Sequence, residues 1–305
     1  VWMLPLGVTL AGVAMGAAAA MPSYWLLLAL VVLSGLGVAA YHPEASKCAR
    51  FAAGARRASG MSLFSVGGNI GYGLGPVVAV PLVQWLGMEG GLLLAIPTTL
   101  VGLVLLRALP RFHELTTGSG ARAERTGEND NRAMAMLLAV ITLRSISTYA
   151  LITFVPLYVV SLGHSKAYGS HLLAAMLLTG GVGTLIAGPL ADRVGKRPVL
   201  VVSTALVAVC TVVFIEVGGA VGAVALAAVG LCTIATYGVT TLMGQDYMPR
   251  NIGMASGLSI GLSIGLGGVA AVALGAVADS LDLRTALWIS VGAPVIGLVL
   301  ALLLP

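Results

Sequence analysis

The chain has 305 residues, of which 58% are hydrophobic and only 9% are charged. Soluble domains contain about a quarter charged residues, so this composition excludes an ordinary soluble protein and indicates a chain that lies in a lipid bilayer. The net charge of +5 does not by itself indicate nucleic-acid binding, because the basic residues are spread along the chain. The three cysteines form no C-x-x-C pair and are interpreted as small packing residues.

Long apolar runs predict an all-α integral membrane protein. A helix that crosses the hydrocarbon core needs about 20 predominantly apolar residues. Runs of this kind predict ten helices in two groups, an N-terminal half (1–106) and a C-terminal half (133–305), joined by a polar cytoplasmic linker (107–132). A transmembrane β-barrel would show strands that alternate over about ten residues. The predicted helices are 2–20, 24–42, 58–88, 90–106, 133–160, 168–190, 197–216, 219–245, 252–276 and 285–304.

The placement of Lys and Arg predicts the orientation, because cytoplasmic loops carry an excess of both. One set of loops holds thirteen of these residues, and the opposite set holds only Lys166 and Arg284. The thirteen are Lys47, Arg50, Arg56, Arg57, Arg107, Arg111, Arg122, Arg125, Arg132, Arg193, Lys196, Arg197 and Arg250. We therefore predict that the first set is cytoplasmic. The positive net charge then reflects topology and gives no reason to expect nucleic acid as a partner.

An internal repeat predicts that the natural protein has two six-helix halves. The sequence Ala-Ser-Gly-Met-Ser at 58–62 recurs as Ala-Ser-Gly-Leu-Ser at 255–259, an offset of 197 residues. The same offset pairs helix 2–20 with helix 197–216, which leaves the first two helices of the second half without counterparts. A parallel repeat of this kind predicts that the chain corresponds to helices three to twelve of a twelve-helix protein, with the first two helices absent.

The segment Gly188–Arg197, G-P-L-A-D-R-V-G-K-R, resembles the G-x-L-A-D-R-x-G-R-K signature of the major facilitator superfamily. In that family the signature lies in the cytoplasmic loop between helices eight and nine, which agrees with the repeat. Gly188 would let two helices approach closely, and Asp192 would offer negative charge to a helix N-terminus. The resemblance implies a gating role for this loop, with its basic residues held at the cytoplasmic side. The residues of the motif are Gly188, Asp192, Arg193, Gly195, Lys196 and Arg197.

Three further segments resemble the fosmidomycin resistance branch of the same superfamily. They are Tyr41–Ala45, the Gly-rich run 67–76, and Gly244–Asp246 together with 253–257. The resemblance implies proton-driven efflux of a small anionic phosphonate across the bacterial cytoplasmic (inner) membrane, in a multi-pass protein that we expect to act as a monomer. It also implies a secondary gate at Gln245 and Asp246, although an acidic residue beside Arg250 at a membrane edge is more often structural.

Arg144 is the most informative single residue, because it lies deep in an apolar helix. A central Arg costs about 2.5–3.5 kcal/mol on insertion scales, so such residues usually have a function. We predict a cavity-facing cation that holds an anionic substrate or pairs with a coupling carboxylate. A structural ion pair between helices is the alternative. Tyr149 lies five residues further on and only partly shares the same helix face.

Polar residues on two other helices are candidates for coupling and substrate contact. His42 and Glu44 lie at the predicted cytoplasmic end of the second helix, where Pro43 is expected to break it and where the pair could pass protons. A simple polar helix end explains them equally well. Asn69 is predicted to line a cavity, while the glycines around it are interpreted as packing residues.

The sequence therefore predicts a secondary transporter of a small, anionic molecule, powered by protons and embedded in lipid. It contains no Walker nucleotide motif and none of the H-E-x-x-H or G-x-S-x-G motifs of an intramembrane enzyme, so we expect neither a cofactor nor catalysis. Alternatives are a facilitator-type transporter of another metabolite, a non-transporting membrane sensor, and an inactive fragment.

Overall fold

The protein is helical throughout the residues that the computed structural model describes, which are 1–118 and 127–305 apart from the side chains of Tyr72, Gly73 and Pro76. Short 3-10 helices, Met88–Leu94 and Pro249–Asn251, precede the α-helices that begin at Ala95 and Ile252. The α-helices are α1 (Met3–Ala19), α2 (Tyr24–Ala52), α3 (Arg57–Leu86), α4 (Ala95–Thr117), α5 (Asn131–Ser161), α6 (Lys166–Val194), α7 (Lys196–Val217), α8 (Gly219–Ala235), α9 (Tyr237–Tyr247), α10 (Ile252–Ser280) and α11 (Leu283–Leu302).

Eight helical segments in the described parts of the chain are long and apolar enough to cross a membrane. They are α2, α4 with its 3-10 turn, α5, α6, α7, the pair α8 and α9 taken together, α10 with its 3-10 turn, and α11. The first predicted helix corresponds to α1, which has 17 residues. The third corresponds to α3, in which Val77–Leu86 is a short apolar helix. Length and hydropathy therefore support eight of the ten predicted spans.

Two predicted helix boundaries are wrong. Pro43 does not break α2, which continues to Ala52, because neighbouring helices and side chains can satisfy the backbone near a membrane proline. The predicted linker begins as helix, since α4 runs to Thr117 and places Phe112 against the small apolar cluster of Leu4, Ala45 and Cys48. The rest of the linker from 119 to 126 lies outside the described residues. The predicted helix 219–245 is confirmed as one span, Gly219–Tyr247, with a break of one residue at Thr236.

The helices pack as two groups that meet along a limited front. In the first group α1 lies against α2 and α4, and in the second α5 contacts α10 and α11 while α6 packs on α8. The groups touch where α2 meets α10 and where α3 meets α6 and α9. Most of the fully buried apolar side chains belong to the second group, around Leu151, Met176 and Leu226. The second group is therefore the well-packed part of the molecule.

Small residues set the distance between α6 and α8. A Cβ added at Gly230 would collide with the backbone carbonyl of Met176 at 1.8 Å, and one added at Gly183 would lie 2.4 Å from the carbonyl oxygen of Leu231. Close approach of this kind lets helices gain dispersion contacts in lipid, where the hydrophobic effect cannot hold them together. Gly181, on the same helix as Gly183, faces open space.

We expect Gly230→Ala to destabilise the protein by about 1–3 kcal/mol, because the added methyl group forces α8 away from α6. Gly181→Ala is the matched control and should leave stability unchanged or slightly raised, since alanine favours helix by about 1 kcal/mol. Thermal unfolding of both variants in the same detergent tests this. Equal melting temperatures for the two variants would contradict the close α6–α8 contact.

Candidate functional site

A cavity of about 730 Å³ lies between the two groups of helices, with α2 and α3 on one side and α5, α8, α9 and α10 on the other. This volume suits a small ligand. Its described lining residues include no Asp, Glu, Lys or Arg, and its polar groups are hydroxyls, one amide and one imidazole. The lining residues are Tyr41, His42, Met61, Leu63, Phe64, Ser65, Gly67, Gly68, Asn69, Ile141, Tyr149, Ile234, Tyr237, Thr240, Thr241, Ser259, Ile260, Ser263 and Ile264.

Three of the residues predicted from the sequence line this cavity. His42 lies on its α2 wall, with Nδ1 3.1 Å from the carbonyl oxygen of Val38. Asn69 lies on the α3 wall, where its Nδ2 donates to Thr184 Oγ1 at 3.4 Å and so links the two groups of helices. Tyr149 lies on α5 opposite them and packs its ring against Gly267 of α10.

Glu44 does not share the site of His42. It is absent from the cavity wall, and its carboxylate accepts a hydrogen bond from Lys47 Nζ at 2.6 Å, one turn along α2. The two residues are only two positions apart in an unbroken helix, so their side chains leave it in nearly opposite directions. The structure thus brings together His42, Asn69 and Tyr149 and leaves Glu44 in a local ion pair.

Arg144 is enclosed by protein and does not face the cavity, which corrects the prediction of a cavity-facing cation. Its side chain is 5% exposed and is absent from the cavity wall. Nη1 donates to Ser203 Oγ at 2.9 Å and to Thr204 Oγ1 at 2.5 Å on α7. Nη2 donates to the carbonyl oxygen of Cys232 at 3.2 Å and to Thr236 Oγ1 at 2.6 Å, at the interruption between α8 and α9.

The partners of Arg144 are all neutral. Among the described residues no carboxylate bonds or pairs with its guanidinium, so the predicted coupling carboxylate is not found there. Burial of an ion costs several kcal/mol unless hydrogen bonds replace water. Four neutral oxygens at 2.5–3.2 Å supply those bonds here, and they leave one unit of positive charge behind the cavity wall.

The end of the bundle that carries Arg50, Arg193, Lys196, Arg197 and Arg250 is called the basic end below. There the loop motif joins the two groups of helices at the N-terminus of α3. The carboxylate of Asp192 accepts hydrogen bonds from the backbone N–H groups of Ala58 at 3.0 Å and Ser59 at 2.9 Å, and from Ser59 Oγ at 2.6 Å.

The glycines of the motif make this contact possible. A Cβ at Gly188 would lie 2.6 Å from the carbonyl oxygen of Ala58, so only glycine lets α6 approach α3 so closely. Gly195 has φ +96°, a conformation that other residues adopt with strain, and it makes the turn into α7. Arg193 is exposed, and Arg197 Nη2 donates to the carbonyl oxygen of Leu302 at 2.6 Å.

A second contact at the basic end is ionic. Asp246 pairs with Arg50 of α2 at 2.7 Å and with Lys196 of α7. Arg50 is 3% exposed and Asp246 is 26% exposed, so the pair is shielded from water on its arginine side only. Gln245, the neighbour of Asp246, is fully buried and donates from Nε2 to Ser256 Oγ at 2.8 Å. We call the contacts of Asp192 and Asp246 the clamp.

Sequence reasoning missed Arg50, Tyr237, Ser259 and Ser263. The sequence identified Arg50 only as one of the basic residues that predict topology, although it identified the partner, Asp246, as part of a secondary gate. Ser259 had a signal in the repeat, because it is the counterpart of Ser62 at the offset of 197 residues. Both serines are buried, and neither hydroxyl has a hydrogen-bond partner among the described residues. Tyr237 carried no sequence signal, because its place on the cavity wall follows from the interruption at Thr236.

Curated relatives of the chain are membrane transporters. The chain is 32% identical to an uncharacterized MFS-type transporter, YfnC of Bacillus subtilis, over the whole chain and 76% of the relative. It is 29% identical to the fosmidomycin resistance protein of Escherichia coli with the same two coverages. MFS denotes the Major Facilitator Superfamily.

Solved structures and a family profile agree with these relatives. FucP in the outward conformation aligns with a TM-score of 0.75 at 15% identity over 99% of this chain and 82% of FucP. The human organic anion transporter MFSD10 aligns with a TM-score of 0.74 at 13% identity, over 97% of this chain and 76% of MFSD10. Residues 1–271 and 137–305 both match the Major Facilitator Superfamily profile. The chain therefore belongs to the Major Facilitator Superfamily of membrane transporters.

Proposed function

We propose that this protein is a secondary active transporter that exports a small anionic drug such as fosmidomycin in exchange for protons. It would act as a monomer in the bacterial cytoplasmic membrane. The observation that carries the proposal is the cavity between the two groups of helices, which lies beside contacts that join the same groups at the basic end. A cavity between two halves that rock against each other is how such transporters expose a site to each side in turn.

In this proposal the clamp is the cytoplasmic gate. The clamp consists of polar and ionic contacts between the two groups of helices. Asp192 accepts hydrogen bonds from the N-terminus of α3, and Asp246 forms an ion pair with Arg50 of α2. Such contacts can be exchanged for water when the halves part, whereas a large apolar interface would resist opening. The structure then represents a state closed at the cytoplasmic end, in line with its similarity to FucP in the outward conformation.

His42 is our candidate for the proton-coupling group. It is the only imidazole on the described cavity wall, which contains no carboxylate. Histidine is the side chain that exchanges protons near neutral pH, so proton uptake there would change the charge of the cavity during transport. Asn69 and Tyr149 are proposed as substrate contacts on the two facing walls.

Two observations support an anionic substrate and fosmidomycin as its first candidate. The charge of Arg144 lies behind the wall without a carboxylate partner among the described residues. The relative at 29% identity is named for fosmidomycin resistance. The low charge of the wall suits a small molecule that carries one anionic group on an otherwise less polar body.

We also propose that the chain represents ten helices of a twelve-helix fold, with 1–106 and 133–305 as its halves. Spans α2 and α4 are buried over only 11% and 6% of their most apolar windows, while five of the six spans of the second half reach 39–56% and α10 has 17%. A half that gives its helices so few partners has room for two more, as the 197-residue repeat predicts.

The first test is fosmidomycin susceptibility of a sensitive bacterial host that expresses the natural gene with any coding sequence upstream of Val1. We expect the wild type to raise the inhibitory concentration several-fold over the empty vector. Asp246→Asn should remove most of that gain, because it weakens the pair with Arg50 by about 1–3 kcal/mol and so upsets the balance of the gate.

Asp279→Asn, at an exposed position near the end of α10 away from the clamp, is the control and should match the wild type. Membrane levels of all variants are compared by immunoblot. A wild-type protein that is well inserted but gives no resistance would remove fosmidomycin as the substrate. Equal resistance from Asp246→Asn and the wild type would remove the clamp as a gate.

We expect His42→Gln to abolish proton-driven accumulation of labelled fosmidomycin in everted vesicles, while exchange of labelled for unlabelled drug without a gradient continues. Glutamine keeps a polar side chain in the cavity but cannot carry a proton in this range. His171→Gln, exposed on α6 outside the cavity wall, serves as the control. Full proton-driven accumulation by His42→Gln would show that the coupling group lies elsewhere.

A further inference from the structure

The interruption between α8 and α9 lies between Ile234 and Tyr237, which both line the cavity, and it is hydrogen-bonded to Arg144. Thr236 separates the two helices, and its Oγ1 accepts a hydrogen bond from Arg144 Nη2 at 2.6 Å. The same nitrogen binds the carbonyl oxygen of Cys232 in the last turn of α8.

Tyr237 connects this interruption to the cavity. It is the first residue of α9, it is partly exposed on the cavity wall, and its side chain lies beside Thr148 and Ser263. Arg144 acts on it electrostatically from behind the wall. A phenol in this position can donate a hydrogen bond into the cavity while the guanidinium stabilises negative charge accumulating there.

Ser259 supplies an independent indication that a ligand binds here. Its side chain is 3% exposed and contributes to the cavity wall, yet its hydroxyl has no hydrogen-bond partner in the part of the chain that the structure describes. Buried polar groups in proteins are almost always hydrogen-bonded, because an unpaired one loses its water without compensation. Ser263 lies one turn further along the same face of α10 and binds Ser145 Oγ at 2.6 Å. The unpaired hydroxyl is therefore a buried polar group of the wall that has no partner among the described residues.

We propose that Tyr237 and Ser259, with Ser263 beside them, form the subsite for the anionic group of the transported molecule, and that Arg144 is the positioning residue that gives this subsite its charge. The proposal rests on the transport function proposed above and adds the specificity determinant. The ligand group is a phosphonate or carboxylate held by neutral hydroxyl donors. A cation would meet the unpaired charge of Arg144, and a neutral group would leave that charge uncompensated.

The test compares an anion with its uncharged ester. The full-length protein is reconstituted in nanodiscs of phosphatidylcholine, which contain no anionic lipid to compete for the subsite. Isothermal titration then measures binding of methylphosphonate and of its neutral dimethyl ester. We expect the wild type to prefer the anion, and Tyr237→Phe and Ser259→Ala each to weaken anion binding about tenfold while ester binding stays the same.

Matched controls are Tyr158→Phe and Ser290→Ala. Both side chains are buried in the same half, and both lie outside the cavity wall. For Arg144 the readout is the ratio of anion to ester binding, which a purely structural role would not change. Arg144→Gln should bring this ratio close to one, and Arg144→Lys should keep it above one because the positive charge remains.

A wild type without preference for the anion would overturn the subsite. A preference that survives in both Tyr237→Phe and Ser259→Ala would also overturn it, even if Arg144→Gln failed to fold. Fosmidomycin susceptibility is scored separately. If the protein gives no fosmidomycin resistance but still prefers the anion in a way that depends on Tyr237, the drug assignment is wrong and the subsite is still supported.

Discussion

Water is absent from the bilayer core, and every polar group there must find its partner inside the protein. This constraint explains why the described chain is helical, since a helix satisfies its own backbone. It also explains the surroundings of Arg144, whose guanidinium is bound by hydroxyls and carbonyls of α7 and α8 rather than by solvent. The interruption at Thr236 belongs to the same arrangement, because it brings two of those oxygens to the charge.

The contacts that join the two groups of helices differ in kind from the contacts within a group. Within the second group, α6 and α8 pack through small residues and large buried apolar side chains surround them. Between the groups, Asp192 and Asp246 make polar contacts at the basic end, and the cavity occupies the adjoining space. Strong packing inside a group and exchangeable contacts between groups are what rigid-body motion of two halves requires.

The electrostatics of the cavity come from residues at two depths. Its wall has hydroxyls, one amide and the imidazole of His42, while the permanent charge of Arg144 lies one layer further out. A charge placed behind a neutral wall attracts an anion without forming a direct ion pair. For the anionic substrate that we propose, release would then be easier than from a bidentate pair with a guanidinium, as a transporter requires.

The sequence by itself determined the membrane class, most of the helices, the loop motif and the identity of the unusual residues. Apolar run length and the cost of a buried charge do not depend on how helices are arranged. Only the tertiary structure decided that Arg144 lies behind the cavity wall, that Glu44 turns away from His42, and that Tyr237 and Ser259 face the cavity. These outcomes depend on the rotation of each helix about its axis and on the interruption at Thr236, and packing between helices sets both.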